Sequence, residues 1–103
     1  MSAVVAGERL KKALSRSARE AGLTISHVTD KTRPWSSCSF EGGKHEIIIT
    51  AVDSRELRSW LDQHDQDSLT VHGFTLADLV VSTIEALAGV ATITVDALTI
   101  AEA

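Results

Sequence analysis

Residues Leu76 to Ala101 are the most apolar stretch of the chain, and they constrain its fold more than any other feature. Asp78, Glu85 and Asp96 interrupt the stretch, and a charge near mid-bilayer costs a few kcal/mol, so it does not read as a membrane span. Ala88-Gly89 divides it. Beyond that point Ala91, Ile93, Val95 and Ala97 alternate with Thr92, Thr94 and Asp96, the period of a strand with one apolar face. The alternation slips at Leu98–Ile100, which points to a bulge or a covered edge. Residues 75–88 satisfy two patterns. Leu76, Leu79, Val80, Thr83, Ile84 and Leu87 fit a helix face, with Thr75 and Asp78 as a cap and Gly89 as a terminator. The β-branched run Val80 to Ile84 instead favours a strand that pairs with 90–100 as a hairpin. Strand is the reading adopted, with helix as the alternative. Such a strand is apolar on both sides: Leu76, Val80 and Ile84 on one, Ala77, Leu79 and Val81 on the other. Helices can cover one side, and the other then needs a second layer, most simply another subunit.

The rest of the chain supplies the covering elements. Residues 3–21 repeat Leu10, Leu14, Ser17, Ala18 and Ala21 at helical spacing, and Gly22 suits the left-handed position after a helix. Leu23–Asp30 and Trp35–Glu41 read as two strands joined by Lys31–Pro34, where the only proline sets a bend. Glu41-Gly42-Gly43-Lys44 reads as a two-residue hairpin turn. Counting outward pairs Phe40 with His45, Cys38 with Ile47 and Ser36 with Ile49, which turns Phe40, Cys38, Ile47 and Ile49 inward and Trp35 and Ile48 outward. Asp53 and Glu56 form a capping box for a helix at 54–64 with the stripe Leu57, Trp60 and Leu61. Ser68–His72 reads as a short strand. The expected fold is therefore α+β, in the order α-β-β-β-α-β-β-β. An antiparallel sheet of five or six strands carries the helices 3–21 and 54–64 on one face.

Length and composition set the frame. The 103 residues suit one domain spanning 1–103, which buries a little over ~60 % of its unfolded surface. Aromatic residues are confined to Trp35, Trp60, Phe40 and Phe74, so the core must be aliphatic. A lone cysteine, Cys38, excludes an internal disulfide and suits a reducing compartment. The start of the chain has too short an apolar run and no basic segment for a signal peptide. A cytoplasmic location away from membranes is expected.

Candidate chemistry is sparse. Cys38 with His45 could form a nucleophile and base, but the expected pairing buries Cys38, and buried thiols are inert. Asp62, His64, Asp65, Asp67 and His72 are the densest set of possible ligands, yet their spacing matches no standard cation loop and reads as a solvated helix end. Gly42-Gly43 precedes a strand rather than a helix, which rules against a phosphate cradle. No catalytic residue, metal ligand or cofactor is expected, and no motif points to a known family. Whether the chain is an enzyme stays open, because folds host unrelated functions.

Charge supplies the clue to partners. Residues 1–52 hold 8 basic and 5 acidic side chains, whereas residues 53–103 hold 2 basic and 9 acidic. Complementary patches of this kind steer and orient association. The leading expectation is a small interaction or assembly domain that forms a homo-oligomer, most simply a dimer, with a second protein as the other candidate partner. Its expected contact residues are Arg9, Lys11, Lys12, Arg16 and Arg19 of the first helix, with Trp35, Leu79 and Val81. Binding of nucleic acid or another polyanion through the basic helix ranks lower, because the whole-chain isoelectric point is near 5.4. A pocket assembled from distant residues for an enzyme or small ligand is the third reading.

Overall fold

The computed structural model describes residues 2–63 and 69–102. Helix α1 (Ala3–Glu20) is followed by strands β1 (Ile25–Ser36) and β2 (Glu41–Val52). Helix α2 (Arg55–Asp62) leads to β3 (Phe74–Leu87) and β4 (Val90–Ala101). All pairings are antiparallel and the sheet order is β1-β2-β4-β3. The class is the expected α+β, but the sheet has four strands rather than five or six. The strands are long instead, at 12, 12, 14 and 12 residues.

Three corrections follow, of which the first and third account for the number of strands. First, the two strands expected at 23–30 and 35–41 are one strand that runs through Pro34. Pro34 is paired with Gly43, and β1 lies at the sheet edge, where a residue without an N–H is tolerated. The irregularity falls earlier, as a bulge at Val28. Second, the turn is Ser37–Phe40 rather than Gly42-Gly43. The Ser37 N–H donates to the Phe40 carbonyl at 2.7 Å, and the Phe40 N–H donates to the Ser37 hydroxyl at 3.2 Å. Ser36 pairs with Glu41, so none of the expected partners of Phe40, Cys38 and Ser36 is met, and Phe40 and Cys38 are exposed. Third, residues 69–72 form no strand; Val71 makes only an isolated bridge to Phe74. Ser68 and His64, which belonged to expected elements, lie outside the described residues.

The two glycines are strand residues, both buried. A Cβ on Gly42 would run into the Thr99 carbonyl of β4, and one on Gly43 would lie 2.7 Å from the His45 ring. Close approach rather than turn geometry therefore explains their presence.

Both helices cover one face. α1 starts at Ser2, whose hydroxyl accepts from the Val5 N–H, and ends at Gly22 with φ 78°. There the Leu23 N–H reaches the Ala18 carbonyl at 2.8 Å, a Schellman closure. Its stripe of Ala6, Leu10, Ala13, Leu14 and Ala18 is buried. In α2 the capping side chain is Ser54, which accepts from Leu57, and the expected cap Asp53 pairs with Arg58 at 3.1 Å instead. Leu57, Trp60 and Leu61 are buried as the stripe required. They meet Ile47, Ile49, Ile93, Val95, Leu76 and Leu79 in one core.

β3 and β4 join at Ala88-Gly89, both with positive φ (53° and 79°), the signature of a type I′ hairpin turn. The expected bulge near Leu98 lies instead on β3, between Leu76 and Asp78, with a second between Val81 and Thr83; β4 itself is a regular central strand. These bulges shift which side chains share a face. Leu79 and Val81 pair with Ala97 and Val95 on the helix side, and Leu79 is buried in the chain's own core. They do not form the second apolar face expected of them. A 14-residue strand is about 46 Å long, whereas an 18-residue helix is about 27 Å. Residues 82–90 accordingly project past the helices, and the molecule is elongated, 46 × 22 × 18 Å.

Candidate functional site

Strand alternation divides the titratable groups between two environments. On the helix side of β2, His45 is 3 % exposed beneath α1, with Gly7 of the helix leaving room for its ring. Nδ1 lies 3.0 Å from the Thr32 hydroxyl and Nε2 lies 2.8 Å from the Thr99 hydroxyl. Thr99 donates its single proton to the Gly43 carbonyl at 3.4 Å. That leaves Nε2 as donor to Thr99 and Nδ1 as acceptor from Thr32, a fully satisfied neutral ring. Burial lowers its pKa. With both nitrogens committed, His45 pins β1, β2 and β4 together and is not poised as a base. Cys38 sits in the exposed 37–40 turn, so the expected Cys38–His45 contact is absent. Of the possible cation ligands, His64, Asp65 and Asp67 lie outside the described residues, and no group of three ligating side chains forms among the described ones.

The other side of the sheet has no helix over it. Its residues fall in rows that follow the register. One row is Arg33, Lys44, Leu98 and Asp78, and the next is Lys31, Glu46, Asp96 and Val80. Thr29, Ile48, Thr94 and Thr83 follow, then Ser26, Thr50, Thr92 and Glu85. At the projecting end Val52, Val90 and Leu87 form an apolar row, at 73 %, 47 % and 83 % exposure. A shallow groove of about 470 Å³ runs over the charged rows, lined by Lys31, Arg33, Lys44, Glu46, Asp78, Asp96 and Leu98. Among the described residues the ion pairs are Lys11–Glu8, Lys11–Asp30 and Arg58–Asp53, so none neutralises this face. Glu46 and Asp96 are direct register partners, and like charges so placed are destabilising.

The basic residues of α1 divide. Arg9 donates to the His72 carbonyl at 2.7 Å and stacks over Phe74, which ties the helix to the segment before β3. Lys11 bridges Glu8 and Asp30 at 2.9 and 3.3 Å; the hydrogen bond to Glu8 leads in raising its pKa. Lys12, Arg16 and Arg19 point to solvent beside Ser15 and His27, which are 2.9 Å apart. Burial, with Lys11 nearby, lowers the His27 pKa. Trp35 is half-buried, and its indole N–H donates to the Thr99 carbonyl at 3.2 Å, so it is committed within the sheet.

Sequence reasoning located most of these charges but missed the surface they build. Lys31, Arg33 and Lys44 carry no motif, and Asp78 and Asp96 are more than 30 positions away from them; only the strand order joins them. Comparison with known protein families, with curated proteins and with solved structures finds no match. No helix among the described residues is long and apolar enough to cross a membrane.

Proposed function

We propose that this chain is a small assembly domain that works as a homo-oligomer. One observation carries the reading: the four-stranded sheet has helices on a single face, and the other presents aliphatic residues among charges that form no ion pair among the described residues. A large, partly apolar surface of this kind marks an interaction site. The exposed row Val52, Val90 and Leu87 adds to it. Light scattering coupled to size exclusion tests the reading. At tens of micromolar the expected mass is twice the 11.0 kDa of the chain, and a clean monomer removes the proposal.

A second reading, polyanion binding, draws on the stripe Lys12, Arg16 and Arg19, spaced four and three residues apart on α1 and exposed. It requires retention on heparin that falls steeply with salt and is lost on charge reversal at Lys12 and Arg16. The acidic balance of the chain weighs against it.

A further inference from the structure

The uncovered face is graded in charge from edge to edge. β1 contributes Lys31 and Arg33, β2 contributes Lys44 and Glu46, β4 contributes Asp96, and β3 contributes Asp78 and Glu85. From this gradient we infer that the occupant of the face is a second copy of the chain, turned about a two-fold axis parallel to the strands. β1 and β2 of each copy then lie over β3 and β4 of the other. The inference rests on the assembly reading above and assigns its surface and symmetry.

Two-fold symmetry allows two ways of stacking the sheets face to face with strands aligned. An axis perpendicular to the strands places every strand over its own copy running the other way. With the faces overlapped, Arg33 and Lys44 lie over the partner's Ser26 and the partner's Thr50 with no opposite charge, and Asp78 lies over the partner's Glu85. Juxtaposed like charges cost several kcal/mol. An axis parallel to the strands reverses the sheet order instead while keeping each row over itself. Arg33 then faces the partner's Asp78, and the partner's Lys44 sits over Leu98, one step from Asp96. In the next row Glu46 lies over the partner's Asp96, and lysines of both copies surround these carboxylates. Within one sheet Lys31 and Lys44 are the neighbours of Glu46, and the partner's Lys31 and Lys44 become the neighbours of Asp96.

Size and shape agree with this occupant. Four strands about 4.8 Å apart, each roughly 12 residues at about 3.3 Å, give a face of about 19 by 40 Å, near 750 Å². Stable interfaces bury about 800 Å² on each partner. The middle rows consist largely of threonine, with Ile48, Thr29, Thr94 and Thr83 in one row. Such short branched side chains let two sheets approach to about 10 Å. The product is a four-layer particle with the helices outside and the two sheets between them.

Paired charge reversals test the inference. A Lys31→Glu/Arg33→Glu chain and an Asp78→Lys/Asp96→Lys chain should each dissociate about 100-fold more readily than the wild type. Mixed in equal amounts they should re-form a dimer containing one of each, because both contacts are then complementary. Far-ultraviolet circular dichroism verifies that each variant folds. As a measurement that needs no variant, wild-type dissociation should rise several-fold when salt is raised from about 50 to about 500 mM. A wild-type dimer that ignores both salt and the reversals overturns this surface and leaves the assembly reading standing. Variants that dissociate but fail to recombine overturn the symmetry. A wild-type monomer overturns both readings.

Discussion

Ile47, Ile48 and Ile49 are consecutive in β2, yet Ile47 and Ile49 are almost fully buried while Ile48 is only half covered. Adjacent side chains of one strand thus lie in two environments. On one face, helices supply dense aliphatic packing and even the histidine has both nitrogens satisfied. On the other, threonines and opposed charges lie open. The difference teaches where the stability of the chain resides: packing sustains the first face, and the second contributes little to the isolated fold.

Truncation tests that contrast most severely. Ile49→Ala should cost about 2–5 kcal/mol in urea denaturation, through lost burial and the cavity left behind. Ile48→Ala, followed at concentrations where the chain is monomeric, should cost under ~1 kcal/mol. Equal losses would break the distinction between the faces.

His45→Ala should follow, at about 2–3 kcal/mol, because it leaves the Thr32 hydroxyl without its acceptor and removes the link to Thr99. The same residue sets a pH dependence. Its folded pKa is lowered by burial, so above the unfolded value of about 6.5 the ring is neutral in both states and stability is intact. Below that value the unfolded chain takes up a proton that the folded chain refuses, and stability declines until the pH drops past the folded pKa. His27, also lowered, adds a smaller contribution of the same sign. Urea midpoints measured from about pH 8 to about pH 5 should fall, and His45→Leu should flatten most of the slope. An unchanged slope in that variant would assign the proton uptake elsewhere.

Smaller effects sharpen the picture at its margins. Ser54→Ala removes the cap of α2 and should cost about 1 kcal/mol, measured by thermal melting. At the projecting tip Ala88 holds a left-handed conformation that favours asparagine or glycine, so Ala88→Asn should stabilise by about 0.5 kcal/mol. A loss there would show that the tip does not keep this turn in solution.

Much of the covered face was legible in the sequence. The stripes of α1 and α2, the alternation along β4 and the Ala88-Gly89 turn are local patterns, and each formed where the spacing placed it. The errors share a physical origin. Gly42-Gly43 is the strongest turn signal in the chain, but its glycines answer to Thr99 and His45, residues that local pattern does not bring near. Pro34 reads as a break because nothing local reveals that its strand lies at an edge. The two bulges of β3 moved Leu79 and Val81 to the helix side, since one inserted residue inverts every side chain beyond it. For the uncovered face, the segregation of charge along the chain was visible, but its arrangement across one surface needed the order β1-β2-β4-β3.

That strand order also has a kinetic consequence. β1–β2 and β3–β4 are hairpins closed by short turns, and isolated hairpins form in about 1–10 μs. The central pairing of β2 with β4 joins residues as far apart as Gly42 and Ile100, and this closure bears the larger loop entropy. Folding is therefore slowest at the seam in the middle of the sheet. Substitutions along β2 and β4 should slow folding, whereas those at the tip of β3–β4 should mainly change how fast the chain unfolds.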